Sequence, residues 1–379
     1  MLSVKKHFTI YSDPAFYSAF PAVVNLGNGR IITAFRRAPN YHGMPGVSDE
    51  YFMHGDILSQ LVYCISNDYG QSWSDARLLY SPPRGGSQDG GLFFDGKTLY
   101  ANSFTWDFVP EKVAKELANK NQDEFVHHYE QTMAPAGSFV MSSSDLGDSW
   151  QGPYIPEALP GNKEIMSGMP LRIHNRGNIV KLADGTLLLC GQALGFRPEF
   201  NSAIVLYKSF DEGKSWNFFS YVTEPDGVAV HEEPCLYITS SGTLRILIRT
   251  HKTASGTEFE RARLSIAHSP DAGKSWSDAR LTSIHAEPAS CFNCGDGKVI
   301  ISYGYRKEPF GVRIRVCDED LDNIEEAHEY IIREDAGNID TGYPWVCMLE
   351  KNRFLVSYYV NKKEYLGASR IEGTVFDLN

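Results

Sequence analysis

The sequence predicts an all-β chain, folded as a six-bladed β-propeller of four-stranded antiparallel blades, and two repeats predict it. The first is Ser-x-Asp-x-Gly-x-x-Trp, which runs from Ser66 to Trp73, Ser143 to Trp150, Ser209 to Trp216 and Ser269 to Trp276. Each copy follows a short aliphatic or β-branched run, such as Leu61-Val62-Tyr63-Cys64-Ile65, so it reads as a turn closing a strand. Asp folds its carboxylate onto nearby backbone N–H groups, Gly accepts positive φ, and Trp supplies apolar bulk for the hairpin. Four of the six Trp occupy this one position, which rules against coincidence. The second repeat is a strand-like run, a polar turn and another strand-like run, centred on Gly29, Gly96, Gly185, Gly242, Gly297 and Asn352. Six hairpins of this kind are the inner pairs of six blades. Radial repetition of blades is one way an all-β chain protects its sheet edges.

The blades follow in order. Blade one spans about 15–80, with a polar loop from Pro39 to His54 ahead of the first motif. Blade two begins near Gly90 and carries an insertion from Phe104 to Ala136, within which 110–118 reads as a helix. Pro110 is tolerated in a first turn, Glu111 comes early, and Val113 and Leu117 lie four apart on one face. The insertion is expected to wall the mouth of the central channel. Blades three, four and five occupy about 165–225, 228–284 and 286–335, and the last has a degenerate turn at Cys317-Asp318-Glu319-Asp320-Leu321-Asp322. Blade six takes 338–379, and the N-terminal strand is expected to complete it. The whole of 1–379 is thus one domain, despite a length that would ordinarily suggest two or three.

Composition narrows the function. A net charge of −11 leaves no basic footprint for nucleic acid or an anionic membrane surface. No run is apolar enough to span a bilayer, and the start of the chain, Met1 to Tyr11, has no signal-peptide core, so a cytoplasmic protein is expected. Seven Cys, mostly in strand-like runs, fit reduced thiols. Cys291-x-x-Cys294 has no second pair at zinc spacing, and His54, His231 and His251 show no ligand pattern, so neither metal nor cofactor is expected.

Antiparallel hairpins bring the residues about nine before and seven after each central turn to one end of the ring. Nine before gives Phe20, Ser87, Arg176, Glu233, Pro288 and Tyr343. Seven after gives Arg36, Ser103, Gln192, Arg249, Gly304 and Tyr359. The Asp turns should lie at the opposite end. Three Arg, one Glu and two Tyr converging on one mouth is a functional constellation rather than a scattered surface.

Six such units with repeated Asp boxes resemble the sialidases (neuraminidases). That resemblance implies a Tyr nucleophile with a Glu partner, an acid/base Asp and three Arg on the substrate carboxylate. Tyr343, in Asp340-Thr341-Gly342-Tyr343-Pro344-Trp345, matches the nucleophile, and Glu233 matches its partner. Arg249 matches the second Arg, with Arg306 and Arg313 both available as the third. Asp56 falls close to the acid/base position, with His54 its nearest substitute; Arg176 and His231 complete the expected substrate-binding set. Ala19-Phe20-Pro21 stands where the family has Arg-Ile-Pro, so the first Arg is replaced by Ala19. Arg36 stands where sialidases usually have an acid, which leaves open whether it reaches the same anion or marks a different sugar.

The implied chemistry is retaining glycoside hydrolysis through a phenol, an exception to the usual paired carboxylates. A sugar bearing a carboxylate on its anomeric carbon repels an anionic nucleophile, whereas a neutral phenol can approach and lose its proton to Glu233. The expected partner is therefore a terminal acidic or polar sugar. The alternatives are a propeller glycosidase or lyase acting on a non-sialic sugar, and a non-catalytic glycan-binding propeller.

Overall fold

The computed structural model describes residues 1–47, 54–110, 112, 127–128, 132–160, 164–166, 169–170, 173–193, 203–224, 229–252 and 262–378. Six antiparallel sheets follow one another along the chain and form a six-bladed propeller. Blade one is Phe16–Gly27, Arg30–Pro39, Gln60–Ser66 and Arg77–Tyr80, hydrogen-bonded in that order. Blades three, four and five repeat this order of four strands from Ile179, Ala229 and Ala289. The inner strand of blade two is split into Gly85–Ser87 and Gly91–Phe94, both paired to Leu99–Phe108.

Blade six is closed as expected. Its strands Gly342–Glu350, Arg353–Val360 and Arg370–Leu378 take Leu2–Tyr11 as the fourth, antiparallel from Leu2 opposite Leu378 to Tyr11 opposite Ile371. The two ends of the chain therefore share one sheet, with Leu2–Tyr11 as its outermost strand. Between neighbouring blades lie separate apolar clusters, for example Leu236, Leu244 and Ile246 of blade four on Leu188 and Leu206 of blade three.

The turn motif works as the sequence suggested. In all four copies the Ser hydroxyl donates to the Asp carboxylate and accepts the Gly N–H, as in Ser269 to Asp271 (2.8 Å) and Gly273 to Ser269 (2.9 Å). The degenerate turn of blade five keeps the carboxylate's role, because Asp318 accepts the N–H groups of Asp322 and Asn323. Each motif glycine also presses on the preceding blade: Gly70 faces Leu355, Gly147 faces Ile32, Gly213 faces Tyr100 and Gly273 faces Leu206. The glycine is thus required twice, by its positive φ and by the close approach of its neighbour. Gly273→Ala would hold a Cβ 2.5 Å from Leu206 Cδ2 at φ +87°. Urea unfolding of this variant should show a loss of about 1–3 kcal/mol, the usual scale of overpacking; an unchanged midpoint would contradict the interlocking role.

Register places the motifs away from the channel mouth. In blade four Glu232 pairs with Arg249 and Arg249 with Leu264, whereas Leu244 pairs with Ser269 at the far end. The insertion differs from expectation at its edges: strand continues through Phe108, and Thr132–Ser143 returns as its partner. Hydrogen bonding of the long second strand simply outruns the blade. Apart from Pro110 and Lys112, the helix expected over 110–118 lies outside the described residues. Among the described residues no helix is long and apolar enough to cross a membrane.

Candidate active site

Three inner strands bend at the same place. Phe20, Glu233 and Tyr343 have φ of 57°, 47° and 50°, and each immediately precedes a proline. At each one the register with the second strand slips, between Ala19 and Ala22, Glu232 and Cys235, and Gly342 and Trp345. A non-glycine residue in this region costs on the order of 1–3 kcal/mol, and a bulge re-aims the side chain it carries. Here the strained backbone turns all three side chains into one cavity of about 300 Å³. The strain coincides with the constellation that the sequence spacing assembled.

At its centre the Tyr343 hydroxyl donates to Glu233 Oε1. The other carboxylate oxygen, Oε2, accepts from Arg249 at 2.8 Å. Arg249 also lies 3.6 Å from Glu287 and 3.8 Å from Glu232. Arg306 donates to the Thr341 carbonyl and to the Tyr359 hydroxyl, both at 3.3 Å, and its guanidinium lies 5.5 Å from the Tyr343 ring centre. Arg176 comes closer, at 4.5 Å from that centre, and its two terminal nitrogens are buried with no hydrogen-bond partner among the described residues. Two guanidinium groups therefore lie over the phenol ring, within cation–π distance of it.

Two carboxyls of the cavity wall are driven apart in acidity. Burial would raise Glu233, but the charges of Arg249 and Arg176 and the hydrogen bonds from Arg249 and Tyr343 hold it below the usual carboxylate range. Asp89 is pushed up to about 8, first by burial and then by the charge of Glu233, against the pull of Arg176, Arg36 and Arg249. Glu233 thus favours its ionised form and Asp89 its protonated form, the pairing that separates a base from an acid. Tyr343 is pushed well above the ordinary phenol range by burial and then by Glu233 and Asp89, while Arg249 and Arg306 oppose them. Behind the ring, Asp340 accepts from Tyr17 (2.9 Å), Tyr359 (2.7 Å), Asn361 (3.0 Å) and His54 (2.6 Å). Burial would raise Asp340, yet His54 and the hydrogen bonds from His54, Tyr359 and Asn361 hold it far below the usual range.

Of the residues expected from sequence, Tyr343, Glu233, Arg176 and His54 line the cavity, with Arg249 and Arg306 packed directly behind them. Arg36 is fully buried, donates from Nε to the Ser87 carbonyl at 3.2 Å and sits near 6 Å from the Phe20 ring. His231 hydrogen-bonds Thr250 at 3.1 Å. Arg313 turns the other way, over the Tyr305 ring and onto the Pro309 and Arg333 carbonyls, so Arg306 is the blade-five arginine at the site. Asp56 is buried beside the cavity rather than on its wall; its Oδ1 accepts the Leu58 N–H at 2.6 Å in a local turn.

The wall also holds residues that the spacing argument missed. Asp89 stands two places beyond Ser87, where the split inner strand of blade two shifts the inward position. Glu287, which lies behind the wall 3.6 Å from Arg249, precedes Pro288 as Glu233 precedes Pro234, a signal that was readable. Phe104, Trp106 and His174 form an aromatic side, with Phe104 stacked on His174 at 5.0 Å and Trp106 donating to Gln88 at 3.0 Å.

The geometry has relatives. A protein of unknown function from Dyadobacter fermentans is 30% identical over all of this chain and 99% of its own, with a TM-score of 0.85. The Hadza microbial sialidase Hz136 shares the fold at 14% identity and a TM-score of 0.63, over 96% of this chain and 66% of its own. Trypanosoma rangeli sialidase in complex with sialic acid does so at 14% identity and 0.59, over 94% of this chain and 54% of its own. The chain thus spans two thirds or less of these two sialidases, and at such identities the likeness is one of fold. No curated protein matches the chain. The family described as BNR repeat-like domain matches residues 118–355, well over half of the sequence, and the chain belongs to that family, on a sialidase-like six-bladed propeller.

Proposed function

We propose that the protein is a retaining, exo-acting glycoside hydrolase of the sialidase superfamily that cleaves a terminal polar sugar. The hydrogen bond from Tyr343 to an ionised, arginine-held Glu233 on the wall of the cavity carries this reading. In the first step the Tyr343 oxygen bonds to the anomeric carbon as Glu233 takes the phenol proton. The glycosidic C–O bond breaks, and Asp89, the protonated carboxyl on the wall, gives its proton to the departing oxygen. In the second step Asp89 takes a proton from water, the water oxygen displaces the tyrosyl oxygen, and Glu233 returns the proton to Tyr343. Arg176 and Arg306, flanking the ring, stabilise the charge that passes through its oxygen.

A non-sialic sugar is the reading favoured by a specific observation within this scheme. Ala19 removes one guanidinium and Arg36 is sealed from the cavity, while Glu232, Glu233 and Asp89 share the wall with Arg176. A panel of aryl glycosides that includes sialosides, uronides and neutral sugars tests both points. Release from at least one member, with the anomeric configuration of the first product retained by NMR, is the expected result. Inversion, or binding without release across the panel, would remove the Tyr343 mechanism.

A further inference from the structure

Behind the cavity, two inner strands bring a pair of thiols into contact. Cys235 lies two residues beyond Glu233 on blade four, and Cys291 lies on the inner strand of blade five. Their sulfur atoms are 3.3 Å apart, and one S–H donates to the other sulfur. A disulfide bond is about 2.05 Å long, so the sulfurs must approach by little more than about 1 Å. Cys235 is 1% exposed, and Cys291 is partly exposed as a residue although its thiol is buried. No other pair of the seven cysteines has this contact among the described residues, and all seven are free thiols.

We propose that Cys235 and Cys291 form an oxidation site, which a two-electron oxidant of the peroxide class converts to a disulfide joining blades four and five. The Cys291 sulfur takes one peroxide oxygen as a sulfenic acid, the O–O bond breaks, and the second oxygen leaves as water. The Cys235 sulfur then displaces the sulfenic oxygen, which departs as water with the Cys235 proton. Two thiols lose two electrons and two protons, and hydrogen peroxide becomes two waters. The shared S–H contact lowers Cys235, the attacking thiol of the second step, while burial and the same contact raise Cys291. The cross-link would close a loop between residues 56 apart and fix the strand segment that carries the Glu233 bulge. None of this depends on the proposed hydrolase chemistry.

The folded, full-length protein treated with hydrogen peroxide should fall from seven titratable thiols to five. A peptide pair joined through Cys235 and Cys291 should appear by mass spectrometry and vanish on addition of dithiothreitol. The oxidised protein should melt several degrees above the reduced form, as expected for a cross-link that restrains the unfolded chain. Cys291→Ser, and Cys291→Ala should the first variant fold poorly, should lose both the linked peptide and the melting shift. Independent sulfinic or sulfonic acids on the two residues, a link between another pair, or seven thiols surviving treatment would each overturn the proposal.

Discussion

Tyr343→Phe should abolish turnover and leave the fold intact. Removing a nucleophile is worth about 10⁴–10⁶-fold in kcat, and the loss should appear in kcat rather than KM, because the ring that shapes the cavity remains. The phenyl ring would keep its place 4.6 Å from Phe20 and under Arg176. Among the described residues the hydrogen bond lost is the one to Glu233, whose second oxygen stays with Arg249, so unfolding free energy should fall by about 1–3 kcal/mol at most. Steady-state rates on the best aryl glycoside, with a thermal melt alongside, decide the matter. A variant within tenfold of the parent would mean that the phenol does not attack carbon. A collapsed melt would mean that the hydroxyl is structural.

The architecture was legible because a propeller repeats its own evidence. Four turn motifs and six polar turns gave the blade count, and positive φ at Gly29, Gly96, Gly185, Gly242, Gly297 and Asn352 shows those turns where the spacing put them. The closing strand was also readable, since the start of the chain reads as a strand and pairs with Arg370–Leu378. The inserted segment of blade two was less so. Its long strands are set by pairing between Leu99–Phe108 and Thr132–Ser143, which no local signal announces.

The site was legible in part, and the division is physical. Tyr343 and Glu233 stand at fixed offsets from their turns because a regular hairpin carries them there, and each bulge residue is followed by a proline. Offsets fail where the strand is broken. The gap between Ser87 and Gly91 moves Asp89, not Ser87, onto the cavity wall. Side-chain direction is a further step that spacing cannot supply. Asp56 gives one carboxylate oxygen to its own turn and lies off the cavity wall, and Arg313 leaves the site for the Pro309 and Arg333 carbonyls, although both lie near the expected place in sequence.

Asp89→Asn should make the protein slower and, above neutral pH, more stable. In the folded chain this carboxyl titrates at about 8, against about 3.9 for an unperturbed Asp. The folded state therefore binds more protons than the unfolded state between those values, and stability falls as pH rises through that window. Asn is neutral and nearly the same shape, so it should remove this loss and lift the melting temperature at pH 8–9 relative to the parent. Activity should move the opposite way. As proton donor, Asp89 supports the parent enzyme below pH 8, and the rate should fall as the group ionises above it. The acidic limb belongs to Glu233, held below the usual carboxylate range, so the rate should decline only at distinctly acid pH. The variant should lose the alkaline limb and about 10²–10⁴-fold in rate on substrates whose leaving group needs a proton. It should lose far less on an activated aryl glycoside, whose leaving oxygen departs unprotonated. The opposing case is an ionised Asp89 paired with Arg176, 3.9 Å away. Removing that charge would destabilise the fold at neutral pH and leave the alkaline limb in place, and that pair of results would transfer the acid's role to another group.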